Sequence, residues 1–552
     1  MLIKLTGGMI YDPVQGIAGE VRDLYIRDGR LVAPESDEHC DREYDVTGKM
    51  VMAGAIDMHT HIGGGKVNVA RAMLARDAQR DELAPDAVDT AIGHAVPATT
   101  VAGHRYAAMG YTTCFEPAVV PINARQAHME MADTPLIDTG GYAMLGNDDF
   151  LLKLLSEGAE QAVINNYVAW ILRATQCIGI KVVNAGGINA FKFNARKLNV
   201  DEAVPQYGVR PRDILRVLSR ALTELGVPHP LHVHASNLGV AGNFQSTLAT
   251  MDAAEGCPIH LTHAQFHCYG TEGKRKFSSA AHRIAEAVNR TDNVTVDVGQ
   301  VMFGQTVTLS ADTMQQFRQR THAHPNKWMC MDIECEAGCG IVPFEYQDQN
   351  FVNALQWAIG LEIFLLVDDP WRVGLTTDHP NGAPFTSYPH LIRLLMDKSF
   401  RADMLSKIHP EAAAMSQLNG LTREYSLSEI AIMTRAAPAR LLGLDDRGHL
   451  GAGAAADIAV YQPHDDQERM FASPALVFKD GELVVKEGRV INAPRGRTHV
   501  VRPDYDVGVE RHLKPWFSDC HTISMDNYRI SDDEMAEGIG SAVVVHPCRG
   551  KR

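Results

Sequence analysis

Basic residues are in the minority in this chain of 552 residues. It has 52 lysines and arginines and 67 aspartates and glutamates, which gives a formal net charge of −15 at pH 7. A protein that binds nucleic acids usually needs a basic surface to neutralise phosphates. The composition therefore argues against a nucleic-acid-binding protein.

Long hydrophobic runs are also missing. The most apolar window, "ALQWAIGLEIFLLVDD", is interrupted by Gln356 and Glu362 and is shorter than the roughly 20 apolar residues of a membrane span. The first residues, "MLIKLTGGMIYDP", lack the apolar segment and cleavage site of a signal peptide. We therefore expect a cytoplasmic protein that does not associate with membranes.

Cysteine is scarce as well, since the ten cysteines form no repeated CxxC pair. Such cysteines are typical of the reduced thiols of an intracellular protein. Cys335 and Cys339 are close together in "CEAGCG". A single CxxxC spacing without a second pair favours ordinary thiols over a zinc site.

Both ends of the chain show the alternation of β structure. Apolar and polar side chains alternate around Asp28-Gly29 in "RDLYIRDGRLV" and around Asp480-Gly481 in "LVFKDGELVVKEGRVI". Asp-Gly between two such runs is a hairpin signal. We expect residues 1–52 and 446–552 to form one small composite β-sandwich domain, followed by a tail.

Short apolar strands alternate with helical stretches in the middle of the chain, over residues 53–445. This alternation predicts right-handed βαβ units and a parallel sheet. The number of units favours a closed (β/α)8 barrel, an α/β fold like that of triosephosphate isomerase. Catalytic groups of such barrels lie at the carboxyl ends of the strands.

One of these strands ends in a histidine pair. "GAIDMHTHIGGG" places His59 and His61 one residue apart, so both side chains point to the same face and can bind one Zn²⁺. Taken alone, the pair fits hydrogen-bonded core histidines equally well. Asp57 is expected to orient one imidazole, as metal-bound histidines usually require.

Three further strands deliver potential ligands at their ends. His234 follows "PLHV", His263 lies in "IHLTHAQFH", and Asp378 lies in "RVGLTTDHP". Nitrogen and oxygen ligands gathered on one rim of a barrel favour a first-row divalent metal. The sequence therefore predicts a metal site assembled from distant segments.

Three other histidines accompany these ligands. His232 is expected to face away from the barrel mouth if His234 faces it, and to serve in packing or in support of a ligand. His260 is expected to be structural. No role is assigned to His267.

A lysine stands at the end of another strand, Lys181 in "GIKVVNAGG". Lysine is rarely buried without a partner. Carboxylation by CO₂ would turn it into an anionic carbamate able to bridge two metals, whereas the alternative is an ordinary lysine paired with an acidic residue. Lys192 in "NAFKFN" is a rival position for this role.

These motifs resemble those of the amidohydrolase superfamily, in its dihydroorotase- and hydantoinase-like branch. The matching elements are "DMHTH", "GIKVVNAGG", "HVHAS", "HLTHA" and "TTDHP". The resemblance implies that His59 and His61 bind one zinc and that His234 and His263 bind another. It also implies that carboxylated Lys181 bridges the two ions and that Asp378 binds metal and acts as the base. An unmodified Lys181 would leave one zinc.

Longer strings narrow the resemblance over nearly the whole chain. "GGYAMLGNDDF", "GIKVVNAGGINAF", "CEAGCGIVPFEY" and "TTDHPNGAPFTSYP" are similar to the A subunits of formylmethanofuran dehydrogenases and of bacterial formyltransferase/hydrolase complexes. This implies hydrolysis of the N-formyl amide of a methanofuran- or methylofuran-type furfurylamine carrier with release of formate, or the reverse condensation. It also implies the other subunits of such a complex as partners.

The carriers of this family have glutamate-rich tails, and Lys274, Arg275 and Lys276 offer a local basic path for one. A solvated loop is the alternative for this triplet. Two other functions stay open for the chain: a cyclic amidase of the dihydroorotase or hydantoinase type, and a non-catalytic scaffold subunit that has kept the barrel for assembly.

Overall fold

The computed structural model describes residues 1–33, 38–73, 95–192, 198–310 and 340–549. Its strands, in chain order, are β1 (Leu2–Asp12), β2 (Ile17–Arg27), β3 (Arg30–Val32), β4 (Arg42–Asp45), β5 (Met50–Ala53), β6 (Ala55–Asp57), β7 (Tyr111–Val119), β8 (Asp138–Met144), β9 (Gly179–Val183), β10 (Leu231–His234), β11 (Ile259–Leu261), β12 (Tyr269–Gly270), β13 (Ser278–Ser279), β14 (Val294–Asp297), β15 (Gly304–Ser310), β16 (Gly340–Tyr346), β17 (Val373–Gly374), β18 (Ile458–Tyr461), β19 (Leu476–Lys479), β20 (Glu482–Lys486), β21 (Arg489–Val490), β22 (Arg497–Val501) and β23 (Ala542–His546).

The α-helices lie mainly between the strands of the barrel. In chain order they are α1 (Gly65–Met73), α2 (Thr99–Ala108), α3 (Ala124–Ala132), α4 (Asp149–Ser156), α5 (Gln161–Ala174), α6 (Gly187–Lys192), α7 (Pro211–Leu225), α8 (Phe244–Ala253), α9 (Ala281–Arg290), α10 (Phe351–Leu366), α11 (Tyr388–Met396), α12 (Lys398–Lys407), α13 (Pro410–Met415), α14 (Leu427–Ala431), α15 (Ala437–Leu442), α16 (Gln467–Ala472), α17 (Glu510–Cys520) and α18 (Met525–Tyr528).

A ten-stranded sheet forms the barrel. Within the described ranges, eight of its strands run parallel in the neighbour order β6, β7, β8, β9, β10, β11, β14 and β17. Beyond the first and last of these strands, Thr60 and His379 form a parallel bridge, and the amide of His61 donates to the carbonyl of His379 over 2.8 Å. This contact brings the two ends of the sheet together at the carboxyl side, as the sequence predicts for a (β/α)8 barrel.

The two ends of the chain meet in a second sheet of nine strands. Its order is β21-β20-β19-β18-β5-β1-β2-β3, with β4 beside β1, and the antiparallel pairing of β18 with β5 joins the C-terminal strands to the N-terminal ones. The predicted composite domain is therefore present, with its strands in one hydrogen-bonded sheet. β22 and β23 instead extend the barrel sheet beside β8. The limits at residues 52 and 445 stay a prediction.

The apolar window of the sequence forms α10, whose side chains are almost all buried. Glu362 is fully buried there, and its carboxylate accepts hydrogen bonds from the Ser416 hydroxyl over 2.9 Å and from the Gln417 amide over 2.7 Å. Of the helices in the described part of the chain, none has both the length and the apolar character needed to cross a membrane. The window can form a buried helix because the polar side chains that interrupt it have hydrogen-bond partners.

A buried ionic cluster joins the composite sheet to the floor of the barrel. Asp138 begins β8, and its carboxylate lies 2.6 Å from Nη2 of Arg447 and 3.1 Å from Nζ of Lys479. Asp457, which precedes β18, pairs with the same two cations. Buried ion pairs of this kind stabilise the contact between the two sheets only while every charged group has its partner.

Replacing Arg447 by alanine leaves buried carboxylates without their guanidinium partner. Removing one member of a buried ion pair typically costs about 3–5 kcal/mol, so we expect the free energy of unfolding to fall by about that amount. Urea unfolding followed by circular dichroism measures the change. Arg22→Ala is the matched control, because Arg22 and Glu20 are both half exposed and such surface pairs contribute about 0–1 kcal/mol. Equally small effects of the two substitutions would contradict a role for the cluster.

Candidate metal centre

The histidine pair lies just beyond β6, and its main chain is still hydrogen-bonded to the neighbouring strands. The amide of Thr60 donates to the carbonyl of Phe115 over 3.0 Å. Both imidazoles are buried and turn their Nε2 atoms toward the carboxylate of Asp378. The Oδ1 atom of Asp378 lies 2.9 Å from Nε2 of His59 and 3.5 Å from Nε2 of His61. The first and last strands of the barrel thus bring three of the predicted ligands together.

Glu116 of β7 orients the imidazole of His61. Its Oε1 lies 2.9 Å from Nδ1 of His61, and its Oε2 accepts the amides of Ile62 and Gly63 over 2.7 and 3.1 Å. Burial would raise the pKa of Glu116, but His61 and these amides hold it below its ordinary value. A carboxylate only accepts hydrogen bonds, so Nδ1 of His61 carries a hydrogen and Nε2 is the atom that faces the site.

A chain of imidazoles within the barrel orients His59 in the same way. Nδ1 of His59 lies 2.8 Å from Nε2 of His232, Nδ1 of His232 lies 3.0 Å from Nε2 of His229, and Nδ1 of His229 lies 3.4 Å from the carbonyl oxygen of Leu441. The carbonyl can only accept, so each Nδ1 donates and each Nε2 accepts along the chain, and the hydroxyl of Thr262, which also contacts Nδ1 of His59, then accepts as well. The Nε2 of His59 is therefore left with a lone pair that faces Asp378.

Asp297, the last residue of β14, supports the underside of the centre. Its carboxylate lies 3.0 Å from Nε2 of His260, accepts the amide of His263 over 2.9 Å, and accepts the hydroxyl of Thr376 over 2.6 Å. Burial opposes its ionisation, yet the nearby His59 and the contact with His260 bring the pKa of Asp297 to about 2. It thus ties strand β14 to β11 and to the second residue beyond that strand.

A second group of imidazoles lies beside the first. His234 ends β10, and its ring centroid is 4.6 Å from that of His263 and 5.0 Å from that of His267. Two sets, His234–His263–His267 and His59–His263–Asp378, each bring one ligand atom from every member to within 4.8 Å of the others. His263 belongs to both sets, so the two groups form one continuous cluster.

Lys181 of β9 is 2% exposed and is the register partner of His232 on β10. Because register partners on neighbouring strands point to the same face, its side chain lies on the interior side of the barrel. Burial lowers the pKa of His59 to about 4, and the charge of Lys181 adds to this effect. The lysine therefore lies within electrostatic reach of the cluster.

The donor atoms of the centre fit a divalent cation. Nε2 of His59 and the carboxylate of Asp378 face each other over 2.9 Å. Burial would raise the pKa of Asp378, but His263 and His59 hold it well below its usual range. Imidazole nitrogen and carboxylate oxygen are common ligands of Zn²⁺, and both kinds of atom converge at this point.

The backbone around the centre leaves little free space. Gly299, which follows β14 with a φ of +63°, would place a Cβ 2.3 Å from Cβ of His263 and 3.3 Å from Cβ of Asp378. His263 and Asp378 themselves have positive φ values of 36° and 51°. Such conformations cost energy for residues other than glycine and are found where the surroundings hold a functional group in place.

Two expectations from the sequence are corrected by these contacts. His232 does not face away from the side of His234, because residues two apart on a strand share a face; it lies beneath His59 and supports it. Asp57 does not touch a histidine ring. Its carboxylate accepts the hydroxyl of Tyr106 over 2.7 Å and the amide of His59 over 3.0 Å, and burial raises its pKa to about 7.

Other candidates lie away from the cluster or outside the described residues. Lys274, Arg275 and Lys276 are exposed, and Arg275 Nε donates to Glu411 over 2.8 Å. Their role as a binding path stays a prediction. His260 packs as expected, between Asp297 and the Thr295 hydroxyl. Cys335 and Cys339 lie outside the described residues, as does the side chain of Lys192.

Sequence reasoning missed Glu116, Asp297 and His267. Glu116 and Asp297 each interrupt an apolar strand, in "CFEPAV" and "VTVDVG", and an acidic residue within such a strand is a usable signal. His267 lies four residues after His263, and on a strand the two side chains would be roughly 13 Å apart. The two rings come together only because a turn of 3-10 helix, Ala264–His267, folds the chain back.

We expect Gly299→Ala to weaken divalent metal binding by at least about tenfold, because the new methyl group displaces His263 and Asp378. Competition with a chromogenic chelator measures the affinity. Gly256→Ala is the matched control, since Gly256 has a φ of +82° with no atom within 4 Å of the position that the methyl group would take. Equal affinities of the two variants would show that the tight approach is unimportant.

The imidazole chain generates a second prediction. His232→Phe removes both hydrogen-bonding atoms beneath His59, whereas His232→Gln keeps an acceptor and a donor. Loss of such supporting contacts typically weakens metal binding about 10–100-fold, so the phenylalanine variant is expected to bind zinc that much more weakly. The glutamine variant should recover most of the affinity in the same chelator competition. Wild-type affinity of His232→Phe would contradict the inferred role.

The chain is similar to known proteins over almost its whole length. The chain is 44% identical to the A subunit of the formyltransferase/hydrolase complex Fhc of Methylorubrum extorquens, over 98% of both chains. It is 39% identical to protein FwdA of Methanocaldococcus jannaschii, over 96% of both chains. The X-ray structure of the FhcABCD complex from Methylorubrum extorquens with methylofuran contains a chain that matches with a TM-score of 0.92 and 43% identity, covering 99% of this chain and 100% of that one.

The family assignment rests on residues 42–492, which match the amidohydrolase family. This range includes the barrel, every strand end that contributes to the metal centre, and strands of the composite sheet. The chain therefore belongs to the amidohydrolase family.

Proposed function

We propose that this chain is a zinc-dependent hydrolase that cleaves the N-formyl amide of a methanofuran- or methylofuran-type carrier and releases formate. The observation that carries the proposal is the 44% identity with the A subunit of the Fhc complex, over 98% of this chain. The chemistry of the cluster supports it, because two oriented imidazoles and an ionised carboxylate converge at one point of the barrel mouth. The reverse condensation would use the same groups.

His59 and His61 would hold one ion, His234 and His263 another, and Asp378 would contact the first. When bound, a divalent metal activates water and polarises the carbonyl that is attacked. Lys181, carboxylated by CO₂, is proposed to bridge the two positions, and its burial on the interior face of β9 supports this role. If Lys181 is unmodified, we expect one ion in place of two.

Asp378 is the proposed base and acid of the reaction. Its Oδ1 takes the proton from the attacking water and returns it to the amine nitrogen, which would otherwise be a poor leaving group. The side-chain amide of Asn381 donates to this same oxygen over 3.0 Å, and it fixes the orientation of the carboxylate. General acid–base catalysis of this kind typically contributes about 10²–10⁴-fold to the rate.

The partners we propose are the other subunits of a formyltransferase/hydrolase or formylmethanofuran dehydrogenase complex. The related crystal structure is such a complex, with methylofuran bound. A chain with a net charge of −15 needs a local basic surface to hold an acidic carrier tail. Lys274, Arg275 and Lys276, all exposed, are the candidate on this chain, and a surface on a partner is the alternative.

We expect Asp378→Asn to lower formate release from a formylated furfurylamine carrier by about 10²–10⁴-fold, because the amide cannot accept the proton. Zinc measured in the same sample should largely remain, since His59 and His61 are intact. Asp403→Asn is the control, because Asp403 is an exposed aspartate on α12. The assay uses the chain purified with its partner subunits.

Near-normal turnover of Asp378→Asn would remove this residue from the mechanism. Turnover of dihydroorotate or a hydantoin by the wild-type protein, without formate release, would identify a cyclic amidase instead. Neither metal nor turnover in the wild-type protein would indicate a scaffold role.

A further inference from the structure

Three imidazoles meet above β10 and β11, and one of them, His267, has no role in the proposed ligand set. His263 and His267 lie at the two ends of the 3-10 turn, with ring centroids 5.2 Å apart. His234 faces both rings from the neighbouring strand, at 4.6 and 5.0 Å. One ring nitrogen from each of the three lies within 4.8 Å of the others.

The ring of His267 is buried without the hydrogen bonds that such a ring needs. It is 1% exposed, and neither its Nδ1 nor its Nε2 has a hydrogen-bond partner among the described residues. The Nδ1 of His263 is in the same condition. Buried polar groups are nearly always paired, so these nitrogens of His263 and His267 need a further binding partner.

The backbone holds His267 in this position. The side-chain amide of Asn243 donates to the carbonyl of Phe266 over 2.8 Å, and the hydroxyl of Thr247 donates to the carbonyl of His267 over 2.9 Å. Both contacts come from α8 or its first flanking residue. The main chain that carries the ring is therefore held by a helix, as a preorganised ligand requires.

We propose that His267 is a third nitrogen ligand, with His234 and His263, for a divalent metal ion of the zinc class. Three imidazoles and one open position form a known type of zinc site. The ion at this position then has three protein nitrogen ligands, and its open position is left for the bridging carbamate of Lys181. This inference rests on the metal centre of the proposed function and refines its ligand set.

The test isolates this group from the other ligands. In a Lys181→Met/His59→Asn double variant, the other two sets of potential ligands among the described residues each lose His59, and the set of three imidazoles is left intact. We expect this protein, prepared in CO₂-free buffer, to bind one Zn²⁺ or Co²⁺ ion per chain, with the visible absorption of tetrahedral Co²⁺. Metal is quantified by mass spectrometry and by chelator competition, without substrate.

Adding His267→Asn to the double variant should weaken binding of that ion by at least about tenfold and change the Co²⁺ absorption. Adding His128→Asn is the matched control, because His128 is also buried with an unpaired Nδ1 but lies away from the centre, against the carbonyl of Thr175. The control should bind the ion as the double variant does.

Unchanged affinity and absorption after His267→Asn would overturn the proposal, and so would a double variant that binds no ion. If the His267→Asn protein does not fold, the double variant decides alone through its stoichiometry. Because only metal binding is measured, a failure of the formate assay would leave this result intact, and the two proposals can fail separately.

Discussion

One constraint, the orientation of the His59 imidazole, sets the geometry of the candidate metal centre. It depends on atoms deep in the interior, since the imidazoles of His232 and His229 lead to the carbonyl of Leu441. A carbonyl cannot donate, so the whole chain has one polarity. If these hydrogen bonds ran in the opposite direction, Nε2 of His59 would carry a hydrogen at the position proposed for the metal. The barrel floor thus determines which atom the barrel mouth presents.

The interior of this barrel contains many polar side chains. The interior of such a barrel is usually packed with layers of branched apolar side chains. Here imidazoles and the carboxylates of Asp57 and Asp297 occupy the space, and each carboxylate accepts at least three hydrogen bonds or close polar contacts. A polar interior is stable only when its groups are paired, and paired groups hold one geometry more strictly than apolar packing does.

The sequence predicts the parts of the centre that follow the period of a strand. His59, His61, His234 and Asp378 each end or follow an apolar run, and the carboxyl ends of parallel strands meet at one rim, so their proximity follows from the pattern. The composite sheet is predictable for a similar reason, because Asp-Gly hairpins mark both ends. The orientation of His232 also follows from the alternation of a strand, since residues two apart share a face, and the expectation of opposite faces is wrong.

Other features depend on contacts that no local pattern encodes. Glu116 and Asp297 acquire their roles from the amides and rings of distant segments, and His267 is brought to the cluster by a 3-10 turn fixed from α8.

His263 shows why this matters for the number of metals. It belongs to two sets of ligand atoms, and Gly299 allows its backbone to approach Asp378 closely. If His267 completes the set around His234, each position has its own ligands and His263 is no longer needed by both. The carbamate of Lys181 would then adjust the distance and charge between two ions, because each ion would already have protein ligands of its own. Occupancy of the two positions would therefore respond separately to CO₂ and to metal supply.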